Sequence, residues 1–201
     1  MPGGVTRHTT SATENARLAV FHLFGEIKDS NDGSGFTLSR ILDGMKCLLA
    51  GSDERRRLWK PVFLISSRGG SIEESLRIYS YLAHLPLETT TVAVGLVESA
   101  AIYVFLAGKV RIATPETTFY FHEGHLRISS GVNDLQAAAR AETKKLHTQI
   151  DIIAKATGNR KQAARWLRSS HALTAHEAKH LGLVHEIEEN AFFSGNIANV
   201  L

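Results

Sequence analysis

The sequence predicts a single-domain α/β protein built on a mostly parallel sheet, and three observations predict it. Buried-strand runs alternate with helix-period runs from residue 18 to about 110, the pattern that right-handed βαβ crossovers produce. Two of those strands run straight into helices through short turns, "SSRGGSI" and "LVESAA". A long helical stretch from about Asn133 to Ala156 follows the last strand pair. It is longer than one small layer needs, which predicts an element that projects and packs on another subunit. With 201 residues, 43% hydrophobic and 21% charged, the chain can bury one sizeable core.

The elements follow in order. Residues 1–17 are polar, rich in Thr, Ser and Gly, and read as a flexible arm. "LAVFHLFGEI" (18–27) is a short buried strand, "DSNDGSG" (29–35) a loop, and "FTLSRILDGMKCLLAG" (36–51) has helical periodicity. "PVFLISSRGGSI" (61–72) is a buried strand ending in a glycine turn, followed by the amphipathic helix 72–85. The β-branched strand 89–97 precedes a buried helix over 99–108, and "VRIATPETTFYFHEG" (110–124) gives two short strands around Pro115. In the long helix, Leu135, Ala139, Leu146, Ile150 and Ile153 line one face. "RKQAARWLRS" and "TAHEAKHLG" are two shorter helices, and "LVHEIEE" (183–189) is a closing strand. The tail 191–201 has no clear pattern, so the ordered domain spans 18–190.

Composition excludes several classes. Net charge is only +3, and the basic clusters "ERRRLWK" and "ETKKLH" lack interleaved aromatics, so no nucleic-acid partner is expected. No window of about 18 apolar residues exists to span a membrane, and the N-terminus has no apolar signal core. The expected location is the cytoplasm. The single cysteine, Cys47, sits in an apolar pattern and reads as a buried structural thiol rather than a nucleophile.

Candidate chemistry lies at the two strand-to-helix turns. Gly69 and Gly70 permit positive φ and close backbone approach, so they form either an ordinary tight turn or a cradle of N–H groups. Ser99 begins a helix at the C-terminal edge of the sheet, where α/β folds place their sites. It is either an N-cap, for which serine is favoured, or a nucleophile beside the positive end of a helix dipole. A serine nucleophile needs a base. Of the ten histidines, His84, His147, His176 and His180 fall on polar helix faces. His122 ends "TTFYFHEG" after three aromatics, as either a structural histidine or that base.

Taken together these segments resemble the proteolytic subunit of the Clp protease family, from about Leu18 to Ile187. "LFGEI" is similar to the family's opening strand and turn. "ISSRGGSIEESLRIYSYL" resembles its Ser-Pro-Gly-Gly-Ser segment, with Arg68 in place of proline. "GLVESAAIYVFLAG" is similar to the nucleophile segment, "ATPETTFYFHEG" to the histidine segment and "ALTAHEAKHLGLVHEI" to the closing segment. The resemblance implies a ClpP/crotonase-like spiral of ββα units with a projecting helical handle at about 123–156. It implies Ser99 as nucleophile, His122 as general base and an oxyanion hole at Gly70 and Ala100 with Gly69 beside them. Such donors are each worth roughly 3 kcal/mol. No metal or organic cofactor is implied. Peptides or unfolded proteins would be the substrates, aligned by β-addition to a strand in "EGHLRISSGVND" (123–134). The implied assembly is a homo-oligomeric ring of six or seven subunits, single or stacked, with an AAA+ unfoldase as partner.

The departures are specific. Where the family carries its catalytic aspartate this chain reads "RSSHALTA", which puts Ser170 at that position, or His171 if the gap moves by one. Glu98, Glu123 and Asp134 are the other candidate acids. "LRSSHA" keeps Arg168 but lacks the acid of the family's ring-to-ring pairs, His185 replaces the family's last Asp, and the arm 1–17 matches no axial loop. The expected function is therefore serine-type peptide hydrolysis by a Ser–His centre with an atypical third member. The alternatives are a weak or inactive ring subunit and a crotonase-like acyl-CoA enzyme.

Overall fold

The computed structural model describes residues 17–29, 35–50, 59–124, 135–189 and 197–199. The chain order is β1 (Arg17–Phe24), α1 (Leu38–Leu49), β2 (Trp59–Ser67), α2 (Ile72–Ala83), β3 (Thr90–Glu98), α3 (Ala101–Leu106), β4 (Val110–Ala113), β5 (Thr118–Phe121), α4 (Leu135–Thr157), α5 (Arg160–Ser169), β6 (His171–Thr174), α6 (Ala175–His180), β7 (Glu186–Ile187) and β8 (Ile197–Asn199). The side chain of Cys47, the N-terminal arm and most of the "EGHLRISSGVND" segment lie outside the described residues.

One eight-stranded sheet runs β6-β5-β3-β2-β1-β8, with β4 on β3 and β7 on β4. Every pairing is parallel except β5 with β6. The period-2 pattern of the strands fixes which face carries the core. Phe21, Leu23, Phe63, Ile65, Ala93 and Val97 point to the helix side, while Val20, Leu64 and Val92 form a smaller cluster on the other face. On the helix side α3 is the centre of the core, with all six residues from Ala101 to Leu106 buried.

One strand changes neighbours. β3 pairs β4 over Thr90–Ala93 and β5 over Leu96–Glu98. Between them its register on β2 shifts, so that Ile65 faces Ala93 but Ser67 faces Val97. Gly95 sits in this bulge at φ +70°, a conformation that costs a glycine little. The corner is pinned at Ala93, whose carbonyl accepts from the Thr114 N–H at 3.0 Å and from Thr117 Oγ1 at 2.9 Å.

Three sequence expectations change. The apolar face expected along α4 exists only in its C-terminal part, where Ile150, Ile152 and Ile153 are buried. Leu135 is 46% exposed and Ala139 is exposed, because the helix, about 34 Å long at 1.5 Å per residue, runs past the edge of the body. The stretch 171–174, of which only Thr174 was assigned in sequence, to the start of a helix, is a strand. Its last residue, Thr174, is also the N-cap of α6 in a capping box with Glu177, and four residues are too few to show alternation. The tail, without pattern in sequence, supplies β8 beside β1.

His185 is built into the fold as a neutral ring. Its Nδ1 accepts the Arg111 N–H at 3.2 Å, and burial, then the Arg111 charge, lowers its pKa below the ordinary histidine value. A histidine depressed by folding binds its proton more readily in the unfolded chain, so acid favours unfolding. The stability tied to His185 is therefore complete above about pH 6.5 and declines as pH falls below it. His185→Asn should flatten the pH dependence of the melting temperature in that window, and an unchanged profile would remove His185 as its source.

Candidate active site

Ser99 and Ser170 are the two non-glycine residues at positive φ among the described residues, at +56° and +49°. The left-handed region costs an ordinary residue roughly 1–2 kcal/mol, so each must be held there by its surroundings. For Ser99 those are visible. Its N–H donates to Tyr120 O at 2.9 Å, and its carbonyl accepts from the Ile102 N–H at 3.1 Å. The residue after it, Ala100, is fully buried. The N-cap alternative is overturned. Ala100 rather than Ser99 occupies that position, and no side chain caps α3. Among the described residues, no group hydrogen-bonds to Ser99 Oγ.

The glycine turn is strapped against β1. The Ile27 N–H donates to Gly69 O at 2.8 Å and the Ser71 N–H to Ile27 O at 2.9 Å. Gly69 stands at φ +93° with its own N–H given to Ser67 Oγ at 3.0 Å, so it is not an available donor. Its role is close approach: a Cβ there would lie 2.8 Å from Glu98 O, 2.8 Å from Ser99 Cβ and 2.9 Å from Ala100 N. The N–H groups of Gly70 and Ala100 have no acceptor among the described residues. The cradle expected of Gly69, Gly70 and Ala100 is thus a pair of free donors with Gly69 as the contact between their two turns.

His122 follows the end of β5, next to the strand that carries Ser99. Its Nδ1 lies 2.9 Å from the carbonyl oxygen of Glu123. A carbonyl only accepts, so Nδ1 bears the proton and a neutral ring leaves its Nε2 lone pair free. Nε2 is 4.0 Å from Glu98 Oε1, with the two side chains 26% and 24% exposed. The Ser99 and His122 side chains share no hydrogen bond in this structure.

The third position is set by the β5–β6 ladder. Its last pair is Phe121 with His171, so one further antiparallel step brings Ser170 beside His122. Glu98, Tyr120, His122, Arg168 and Ser170 line one cleft of about 490 Å³. His171 instead stacks on Trp166, with ring centroids 5.6 Å apart and planes 5° from parallel. The Glu123 side chain is exposed and only its carbonyl meets the ring, while Asp134 is outside the described residues. The proximity of Glu98 to His122 was hidden in sequence because it follows from register: Glu98 faces Tyr120, and His122 is two residues on, on the same face.

A second groove, of about 440 Å³, adjoins the site between the start of α2 and the flank of α4. Ser71, Ile72, Glu73, Glu123, Glu142 and Gln149 contribute to its walls. Lys145 Nζ bridges Glu73 and Glu142 across it. These two carboxylates raise the Lys145 pKa above its ordinary value.

A parallel sheet that turns a corner onto a serine elbow, with a histidine on the next strand, defines a class of serine-hydrolase scaffold. The Clp protease family profile matches residues 46–191, and the chain belongs to that family of serine peptidases. It is 32% identical over 165 residues to the ATP-dependent Clp protease proteolytic subunit 2 of Borreliella burgdorferi, covering 77% of this chain and 78% of the relative. It is 28% identical over 181 residues to proteolytic subunit 1 of Leifsonia xyli, covering 86% and 84%. The structure of a ClpP1 point mutant from Listeria monocytogenes superposes with a TM-score of 0.66 at 24% identity, over 86% of this chain and 92% of that one. The α/β ClpP fold expected from the sequence is therefore the fold observed. No helix among the described residues is long and apolar enough to cross a membrane.

Proposed function

We propose that the chain is a serine-type endopeptidase subunit in which Ser99 is the nucleophile, His122 the general base and Ser170 the occupant of the third position. The observation that carries this reading is Ser99 itself, held at φ +56° with an uncommitted hydroxyl, next to the Gly69 turn and bonded through its N–H to Tyr120, two residues before His122. Ser99 Oγ attacks the peptide carbonyl and its proton passes to His122 Nε2. The N–H groups of Gly70 and Ala100 receive the oxyanion, and His122 returns the proton to the leaving amine. Water then hydrolyses the acyl-enzyme by the reverse relay. The Nδ1 contact with Glu123 O supports the required tautomer, which in a complete triad is the acid's task. Ser99 Oγ must turn onto Nε2 when substrate binds, as catalytic hydrogen bonds in free enzymes commonly do.

A fluorophosphonate probe tests this under native conditions. The expected result is one adduct, on Ser99, with cleavage of short fluorogenic peptides. An unlabelled Ser99 in folded protein overturns the reading in favour of an inactive subunit, the alternative that the missing acid favours. Family membership weighs against the acyl-CoA reading, and saturable binding of coenzyme A without peptide cleavage would reinstate it.

Ser170→Asp should act in the opposite direction. Aspartate tolerates positive φ better than most residues, and here it would supply the negative charge that a hydroxyl lacks. Turnover of a peptide substrate should rise by roughly tenfold or more, a fraction of the about 10⁴ associated with that acid in a complete triad. No rise would mean that charge at position 170 does not limit turnover.

The substrate class proposed is unfolded protein or peptide, and the working form a homo-oligomeric ring served by an AAA+ unfoldase. The relatives' names, which describe proteolytic subunits of ATP-dependent proteases, support this.

A further inference from the structure

We infer that Glu98 is a positioning residue that supplies the negative charge absent from the third position, acting through His122. The inference rests on the Ser99–His122 reading and extends it to the residue immediately before the nucleophile.

Three observations carry it. Glu98 Oε1 is 4.0 Å from His122 Nε2, and among the described residues this is the carboxylate's only ionic contact. The pair is fixed by the sheet, since Glu98 faces Tyr120 across the β3–β5 ladder and His122 lies diagonally ahead on the same face. Both side chains are about three-quarters buried and line the cleft that also holds Ser170.

The geometry makes the interaction selective for one stage of the reaction. With the proton on Nδ1, held toward Glu123 O, resting Nε2 presents a lone pair and offers Glu98 nothing to accept. Once Nε2 has taken the proton from Ser99 Oγ, the ring is a cation with a new N–H group facing a carboxylate. The attraction therefore exists in the charged intermediate and not in the free enzyme, the condition under which an interaction accelerates chemistry instead of only binding substrate. Ser99 and Glu98 are consecutive residues, so the hydroxyl that loses the proton and the carboxylate that stabilises its acceptor are aligned by one strand end.

The test compares the unmodified protein with Glu98→Gln and Glu98→Asp at fixed pH. It reads fluorophosphonate acylation of Ser99, kcat and KM for a fluorogenic peptide, and the melting temperature. Glu98→Gln should lower acylation and kcat by roughly ten- to a hundredfold with KM unchanged, less than the about 10⁴ of a buried triad acid because the pair is partly exposed and screened. Glu98→Asp should recover part of that loss, and the melting temperature should stay within a few degrees for all three. Labelling of Ser99 that is undiminished in Glu98→Gln, or a loss confined to KM, overturns the role of Glu98 and leaves the Ser–His assignment standing. If the unmodified protein takes no label at Ser99, the underlying reading fails and this inference with it.

Discussion

Ser99→Ala should abolish fluorophosphonate labelling and lower peptide hydrolysis by about 10⁴-fold or more. The hydroxyl is the only group at the elbow that can form the acyl-enzyme, so what survives is the contribution of the two free N–H groups and of substrate binding. His122→Ala should cost about as much, and the double substitution little more, because residues that act as a unit are not additive. The folded state should tolerate the change at position 99, since Oγ makes no hydrogen bond to a described residue. Retention of the fold, seen as an unchanged far-ultraviolet spectrum, makes the loss a statement about chemistry. Peptide cleavage by Ser99→Ala at more than a few per cent of the original rate would remove Ser99 as the nucleophile.

The second large effect belongs to a residue with no reactive group. Gly69→Ala places a methyl within 2.9 Å of Glu98 O, Ser99 Cβ and Ala100 N, all close to backbone that has little room to give. It also forces an L-residue to φ +93°. The conformational cost is roughly 1–2 kcal/mol and overpacking adds about 1–3 kcal/mol, giving a loss of about 2–5 kcal/mol. At about 2–4 °C per kcal/mol for a chain of this size, the melting temperature should fall by roughly 5–20 °C. Acylation of Ser99 should fall as well in the fraction that remains folded, because the methyl pushes on Ser99 directly. A variant that melts normally and labels at the original rate would show that the two turns are not in contact in solution.

The parallel sheet, the buried helix after Ser99 and the strand end at His122 were legible because each is a run of apolar residues bounded by glycine or polar turns. What was not legible depended on register. Two strands around Pro115 are plain in "VRIATPETTFYF", yet nothing in that string says that both pair with the same strand. The alternatives at Ser99 could not be separated from local sequence either, since serine suits an N-cap as well as a reactive turn. Its backbone, at φ +56° with Ala100 as the cap of α3, sets the cap reading aside, and its neighbours Gly69 and Tyr120 lie thirty and twenty-one positions away. Glu98 stood in the sequence as one of three candidate acids that could not be ranked, because its neighbour is named by the β3–β5 ladder. The handle's apolar face was overextended because helical periodicity does not reveal where a helix leaves the body it packs on.

The change of partner along β3 has an architectural consequence. Thr90–Ala93 lies between β2 and β4, whereas Leu96–Glu98 lies beside β5, whose other neighbour is the edge strand β6. Ser99, His122 and Ser170 all sit at the ends of β3, β5 and β6. The candidate groups therefore share one short patch of sheet that branches from the β3–β4 pairing at the Gly95 corner and stays tied to β2 through Val97 and Ser67. A shift of that patch would reach all three positions together.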